Sequence, residues 1–371
     1  MTLPIMAVFK ELPDPRRETA NKLHLLNDIL TIATCATIGG ADSWDEIALF
    51  GCAKEPFFRR FLPLENGIPS PDTFSRVFAK LDPDAFAQAF GRWMMAASQA
   101  TGLVPVAVDG KSVRAAKMNT ATGCLHLVSA WATTNRLTLG QVAVAEGSNE
   151  VAAIPELLRV LDLKGAIVTI DAAGCQVENA ELIRDGGGHY LLAVKGNQPS
   201  LRQAVEAVFD RAVEADFEGV KHDGHESVED GHGRHEERYA TVIYDPQGLP
   251  EAWPDVKAVI QVNREREVKG ENSSTTHYYL TSHAGTAEEL AAAIRGHWGI
   301  ESMHWVLDVV FREDDHLARE GHAGANLAML RKVAVALLKR APAKCSTPAK
   351  RLKAGWDDSF LLQVLHGLTN G

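Results

Sequence analysis

The stretch Ala166-Ile-Val-Thr-Ile-Asp-Ala-Ala-Gly174 decides the architecture. Its first five residues have the composition and length of a strand buried on both faces. The acid and small residues that follow place a carboxylate where that strand leaves its sheet. Val104-Pro-Val-Ala-Val-Asp-Gly-Lys111 repeats the pattern, with Asp109 and Gly110 after a buried run. Open α/β sheets gather their ligands at the carboxyl ends of strands. Small residues there let another backbone, a metal or a phosphate approach closely. Asp-Gly is also an ordinary turn pair, so for either aspartate alone turn chemistry is the simpler reading. Two such ends in one sheet point to a shared site.

Working outward, residues 126–134 and 137–145 read as strands joined by the Asn135-Arg136 turn. Residues 150–161, 177–184 and 199–215 read as helices, and 189–194 as another strand. The order β-β-β-α-β-α-β-α predicts an α/β layer with a mixed sheet. Residues 218–284 turn polar, His-rich and β-prone, with strands at 239–244 and 256–262. Helical pattern resumes at Thr286 and persists to about residue 340. Residues 1–100 are helical, with Leu23, Leu26, Ile29, Leu30 and Ala33 at three- and four-residue spacing. Ser43 and Ser70-Pro71-Asp72 are start signals. Thr73, Arg76 and Lys80 fall outside the apolar face, which fits a helix-turn-helix DNA reader or a plain bundle. The expected domains are therefore 1–100 (helical), 101–217 (first part of the α/β core), 218–284 (β-rich insertion) and 285–371 (C-terminal helices of the core).

Composition excludes several classes. The chain has 371 residues, 46% hydrophobic and 23% charged, which is ordinary globular content. The longest near-apolar run, 29–41, is too short to span a bilayer, and no basic segment precedes an apolar stretch at the N-terminus. Five scattered cysteines without CxxC spacing fit a reduced, cytoplasmic protein. The net charge of −10 argues against nucleic acid until its distribution is considered. Residues 321–356 carry eight bases and no acid: Arg331, Lys332, Lys339, Arg340, Lys344, Lys350, Arg351 and Lys353. Such a stripe is compatible with DNA if some element presents it; a solvated helix face is the plainer account.

Within the helix expected at 291–311, His297, Glu301, His304 and Asp308 recur at spacings of four, three and four, so they share one face. Ionisable groups on an otherwise apolar helix are costly unless paired or metal-bound. A solvent-facing stripe explains them too. Glu301-x-x-His304 resembles a di-iron motif, but that motif works as a pair on two partner helices. Asp109, Asp171 and Glu301 together suggest a two-metal site. Hard carboxylate oxygens suit Mg²⁺, and two ions ~3.5–4 Å apart serve phosphoryl transfer.

These residues carry a family resemblance along nearly the whole chain. Asp14-Pro-Arg16, 67–78, Val108-Asp-Gly-Lys-Ser-Val-Arg114, Asp171-Ala-Ala-Gly-Cys-Gln176 and Val194-Lys-Gly-Asn-Gln198 match in order. His232-Gly-Arg-His-Glu-Glu-Arg238, Arg295-Gly-His-Trp-Gly-Ile-Glu301, His304-Trp-Val-Leu-Asp308 and 326–331 complete the series. The chain resembles the DDE transposases of bacterial insertion sequences, in the subgroup that includes the H-repeat-associated proteins of Rhs elements. The resemblance implies an RNase H-like catalytic domain with a β-rich insertion and an N-terminal helical domain. It places the catalytic and metal-binding roles on Asp109, Asp171 and Glu301, with two Mg²⁺ or Mn²⁺ ions. It implies element ends and target DNA as partners, a homodimer when bound to DNA, and no membrane. Where the wider superfamily carries Tyr, Arg and Lys around its glutamate, this chain has Ile294, His297 and Asp308.

Expected DNA contacts are Lys111, Arg114 and Lys195 beside the site, Arg234, Arg238 and Arg295 near the insertion, and Arg331 and Lys332 in the basic stripe. His297, His304 and Asp308 are expected to support the metal-binding carboxylates from behind. His222, His225, His232 and His235 have a zinc-like spacing, but without cysteines a solvated loop is the simpler reading. A nuclease lacking strand transfer and an inactive DNA-binding remnant are the alternative functions.

Overall fold

The computed structural model describes residues 3–19, 22–97, 104–113, 125–134, 136–145, 148–231, 234–268, 270–315 and 318–366. Helices α1 (Pro4–Lys10), α2 (Leu26–Ile38), α3 (Trp44–Ala53), α4 (Glu55–Phe58), α5 (Pro71–Lys80) and α6 (Pro83–Ala97) come first. Strands β1 (Val104–Val113), β2 (Leu125–Ala132) and β3 (Leu137–Ala143) follow. Next are α7 (Glu150–Val160), β4 (Ala166–Ile170), α8 (Val177–Asp185), β5 (His189–Val194) and α9 (Pro199–Glu214). Strands β6 (His222–Gly231), β7 (Arg234–Tyr244), β8 (Ala258–Val268) and β9 (Glu271–Thr281) lead into α10 (Ala287–Val309). A 3-10 turn (Glu313–Asp315) and helices α11 (Ala323–Arg340), α12 (Thr347–Trp356) and α13 (Asp358–His366) follow α10.

The fold is mixed α/β, with strand order β3-β2-β1-β4-β5-β9-β8-β7-β6. Strands β1, β4 and β5 run parallel, whereas β9, β8, β7 and β6 continue from β5 as an antiparallel meander. The chain divides into two compact units. One comprises Met1–Gln99, Gly110–Ala153 and Glu301–Gly371; the other comprises Ala100–Asp109 and Ile154–Ile300.

In the first unit, α11 is the hub, packing against α2, α5, α6, α12, α13 and β3. It is apolar on nearly every side, the pattern of a helix surrounded by protein. Asn326 at its start donates from Nδ2 to the carbonyls of Phe78 and Leu81, 2.8 Å each, and so closes the end of α5. The expected start signals are realised. Ser70 accepts from Thr73 N, and Ser43 with Glu46 forms a reciprocal capping box. Helix α6 lies on β3 so closely that a Cβ on Gly91 would stand 2.1 Å from the Leu139 carbonyl oxygen.

In the second unit, the first half of α10 covers the sheet. Ala287, Leu290, Ala293 and Ile294 bury against Ile167, Leu191, Ala240, Val242, Ala258, Ile260 and Val262. Thr286 and Glu289 cap each other reciprocally and start α10 at Ala287, where the helical pattern resumes in the sequence. Three differences from the sequence reading stand out. Strand β1 runs on to Val113, so Asp109 lies within it and not at its end. The meander has four strands where two were expected, because β6 and the first half of β9 are almost wholly polar and are held by backbone pairing. The helical run from 286 to 340 is interrupted, with Arg312 in the left-handed region at φ 48° just after α10.

Candidate active site

Strands β1 and β4 pair in parallel through Val108↔Ile170, so Asp109 and Asp171 occupy the next register position on neighbouring strands. Adjacent strands lie ~4.8 Å apart, and equivalent positions face the same side. Two carboxylates are thereby set side by side at the carboxyl end of a parallel pair. The Asp171 side chain also shapes its loop. Its Oδ1 accepts from Ala173 N at 3.0 Å and Gly174 N at 3.3 Å. Its Oδ2 accepts no hydrogen bond among the described residues. Gly174 is required by close packing, since a Cβ there would stand 2.3 Å from the Ile170 side chain.

Three side-chain amides brace this loop, and sequence reasoning missed their role. Asn197 Nδ2 donates to the Ala172 carbonyl at 2.5 Å, Gln198 Nε2 to Cys175 at 2.9 Å, and Asn179 Nδ2 to Gly174 at 2.9 Å. The Val194-Lys-Gly-Asn-Gln198 segment thus holds the second aspartate's loop. Lys195 within it is exposed.

Thr169 precedes Asp171 by two residues and shares its face of β4. Its hydroxyl meets His297 Nδ1 of α10 at 2.9 Å. Burial lowers the His297 pKa although the Asp171 charge opposes that shift, so a neutral imidazole lies over the sheet beside the aspartate. Glu301 follows His297 by four residues in the same continuous helix, one turn on along the same stripe, and is exposed. Asp109 and Asp171 belong to the second unit, whereas Glu301 is the first residue of the final segment of the first. All three offer hard oxygen donors, the set that suits Mg²⁺ or Mn²⁺ over softer metals. Among the described residues no three or more His, Cys, Asp or Glu form a group that could hold a metal ion.

Beyond Glu301, the stripe turns inward. Burial, then the charges of Lys332 and Lys111, push the His304 pKa down to about 3. This depression has a testable sign. The unfolded chain takes up the His304 proton near pH 6.5 and the folded chain does not. Stability from this group is therefore intact above pH 6.5 and is lost as pH falls toward about 3. The loss is ~1.4 kcal/mol per pH unit at most. Urea unfolding of a His304→Gln variant should show about 2 kcal/mol less acid loss between pH 6.5 and 5 than wild type. Equal loss in both would assign the acid sensitivity elsewhere.

Several expected DNA contacts are corrected by their placement. Arg331 and Lys332 are 3% and 1% exposed. Lys332 Nζ donates to Ser129 Oγ at 2.6 Å and Gln141 Oε1 at 2.7 Å, and burial lowers its pKa to about 8. Helix α11 is buried from Ala325 to Leu338 and carries these two bases inside with it. Lys350 and Arg351 are buried as well, while Lys339, Lys344 and Lys353 are exposed. Lys111 is 9% exposed and ion-paired with Asp308 and Glu313, so it too is unavailable to a phosphate. Arg114 and the Arg234 side chain lie outside the described residues. Arg295 makes a two-point ion pair with Glu229, at 3.2 and 2.8 Å, and Arg238 pairs with Glu236 and Glu229. His235 is held between Asp230 and Glu237, which raise its pKa to about 9; its neighbour His232 is outside the described residues.

Next to these pairs, the meander and α10 enclose a cavity of about 370 Å³ lined by Arg238, Arg264, Arg266, Arg295, His277 and Trp298, among others. The Nε atoms of Arg264 and Arg266 are buried with no hydrogen-bond partner among the described residues. Neither arginine stood out in the sequence, because each sits in an alternating, charged strand with no apolar context to mark it.

Comparison with known proteins places this arrangement in context. The family model described as "Transposase DDE domain" matches residues 101–338, and one described as "DDE_Tnp_1-associated" matches residues 6–94. The chain is 37% identical over 361 residues to the "H repeat-associated putative transposase YhhI" of Escherichia coli (strain K12), covering 95% of each. It is 38% identical over 363 residues to the "Putative transposase YncI" of Escherichia coli O157:H7, covering 95% of this chain and 92% of that one. An uncharacterized protein encoded in the dhlA 3′ region of Xanthobacter autotrophicus is 43% identical over 280 residues, covering 74% of this chain and 93% of its own.

Proposed function

The chain belongs to the DDE transposase family, and from that premise we propose that it cuts and joins DNA at the ends of an insertion sequence through Asp109, Asp171 and Glu301. The observation that supports the proposal is the parallel register of β1 and β4, which ends at Val108↔Ile170 and puts Asp109 and Asp171 at the next position on each strand. Helix α10 brings His297 over that face and carries Glu301 one turn further. In this reading the α/β core is an RNase H-like catalytic domain, with the meander of β6–β9 as its insertion.

The three carboxylates would hold two Mg²⁺ or Mn²⁺ ions. When bound, such ions make a potent oxygen nucleophile and stabilise the departing oxygen of an in-line displacement. The protein's residues do the rest. Asn179, Asn197 and Gln198 keep the Asp171 loop fixed, and neutral His297 adds no positive charge to compete for the carboxylates. Water first displaces the 3′ oxygen from phosphorus, leaving a free 3′-hydroxyl. That hydroxyl then attacks a target phosphodiester, forming one P–O bond as another breaks. Lys195, Arg264 and Arg266 would contact phosphates, with Arg114 and Arg234 as further candidates. The protein would act in the cytoplasm as a homodimer on DNA; no helix among the described residues is long and apolar enough to cross a membrane.

The test combines labelled element ends, Mg²⁺ and a target plasmid. Joined products are the expected outcome. Cut ends alone would reduce the activity to that of a nuclease, and a mobility shift without cutting would make the chain a DNA-binding remnant.

A further inference from the structure

The cavity between the meander and the first part of α10 lies wholly within the second unit, and its charges are unevenly matched. Four arginines and three glutamates line it. Arg295 and Arg238 both pair with Glu229, and Arg238 pairs with Glu236 as well. Arg264 and Arg266 make no ion pair among the described residues, and it is their Nε atoms that are buried without a partner there. Glu236 stands opposite Arg266 in the β7–β8 register, yet it pairs with Arg238. In that register Arg238 itself stands opposite Arg264, and like charges set directly across a sheet repel. Arg264 and Arg266 are two residues apart on β8 and so share one face. Buried guanidinium donors left unpaired are costly until an anion meets them.

Next to the arginines on the same face, ~6.6 Å along the strands, the lining turns apolar. Ala240 and Val262 stand opposite each other there, with Ile294 of α10 and the Tyr279 ring in the same packed cluster. One end of the cavity therefore offers unpaired cationic donors and the other an apolar surface. Its volume of about 370 Å³ belongs at the lower end of the ~300–1,000 Å³ typical of small-molecule sites. Two uncompensated guanidinium charges match a phosphate monoester, which carries close to −2 at pH 7 and offers three acceptor oxygens. The three lining glutamates act against a longer polyanion, whose further phosphates would meet carboxylates.

We propose that this cavity binds a free small phosphate monoester with an apolar or aromatic body, such as a nucleoside monophosphate. Arg264 and Arg266 hold its phosphate, and Ala240, Val262, Ile294 and Tyr279 receive its body. Binding is non-covalent and needs neither metal nor the triad. Only its consequence for DNA rests on the function proposed above: the ester occupies two arginines assigned there to DNA phosphates, and so competes with DNA.

The test is titration calorimetry on the full chain in phosphate-free buffer, without metal or DNA. The probes are deoxyadenosine monophosphate, inorganic phosphate, deoxyadenosine, and a short single-stranded oligonucleotide with a 5′-phosphate. The monophosphate should bind about 10-fold or more tighter than inorganic phosphate, because only it buries an apolar body, and deoxyadenosine should give no measurable heat. The monophosphate should also raise the melting temperature. Replacing both cations, Arg264→Gln with Arg266→Gln, should weaken it by about 100-fold, the scale of losing two hydrogen bonds to a charged group. Melting of that variant without ligand should stay level or rise, since two unbalanced charges are gone. Equal affinity for monophosphate and inorganic phosphate would overturn the proposal, as would undiminished binding by the double variant. An oligonucleotide that binds tighter than the monophosphate, and loses as much in the double variant, would assign the cavity to a DNA strand instead. The wild-type probe comparison decides even if the double variant fails to fold. A cleavage assay separates the two levels of inference: the monophosphate should raise the DNA concentration needed for half-maximal cleavage and leave the maximal rate unchanged. If the chain cuts no DNA, the proposed function fails while the calorimetry still judges the site.

Discussion

Asp171→Asn is expected to lower DNA cleavage by about 10³-fold or more, the scale of removing a group that stabilises charge in the transition state. The chain should still fold and still bind DNA. Asparagine retains Oδ1, and with it the hydrogen bonds from Ala173 N and Gly174 N that shape the loop. The amides of Asn179, Asn197 and Gln198 bind backbone carbonyls and are indifferent to the substitution. What disappears is the negative charge beside Asp109. Two unit charges ~5 Å apart repel by about 1 kcal/mol in water and by more in a partly buried setting. Melting without metal should therefore stay level or rise, and metal should no longer stabilise the protein. Cleavage assays and melting with and without Mg²⁺ check both parts. A variant that cuts DNA at the wild-type rate would remove Asp171 from the chemistry, and one that fails to fold would make it architectural.

The second large effect is on stability. Arg351→Ala should cost ~3–5 kcal/mol, the range for breaking one side of a buried pair. The Arg351 side chain is 7% exposed and pairs with Asp42 at 2.9 Å. It donates to the carbonyls of Thr37 and Val310, and its guanidinium lies over the Phe311 ring at 4.1 Å. One side chain thus joins the end of α2, the end of α10 and the body of α12. Truncation leaves two carbonyls and a carboxylate unsatisfied at once. Lys344→Ala, in the same basic stretch but exposed, should shift stability by no more than about 0.5 kcal/mol. Denaturant unfolding of the two variants side by side checks the contrast. Similar values would mean that burial does not divide this stretch as described.

Strands with apolar content and helices with caps were legible from sequence. His189–Val194 is a strand over the expected residues, and Ser70 and Ser43 start helices as local chemistry dictates. What escaped was everything governed by long-range partners. Strands β6 and β9 carry little hydrophobic signal, because pairing with β7 and β8 holds them. Charge pattern suggested a surface for Arg331, Lys332 and Arg351. Their burial follows from how α11 and α12 are enclosed, which no local window records. The aspartates were visible as strand-end acids, yet their side-by-side register needed the β1–β4 pairing. Asn197 and Gln198 were visible only as part of a motif; their bonds to the Asp171 loop cross more than twenty residues.

The position of α11 also bears on how the chain is made. This helix, residues 323–340, is what α2, α5, α6 and β3 pack against, and those elements all precede residue 144. During synthesis they emerge well before their hub. Helix α2, buried along nearly its whole length in the finished protein, then has α1 and α3 beside it but lacks the cover of α11 and α12. Contacts between such distant parts of a chain form late and slowly. The nascent N-terminal half is accordingly the aggregation-prone stage, and a message truncated before α11 yields a polypeptide whose first unit has no centre on which to close.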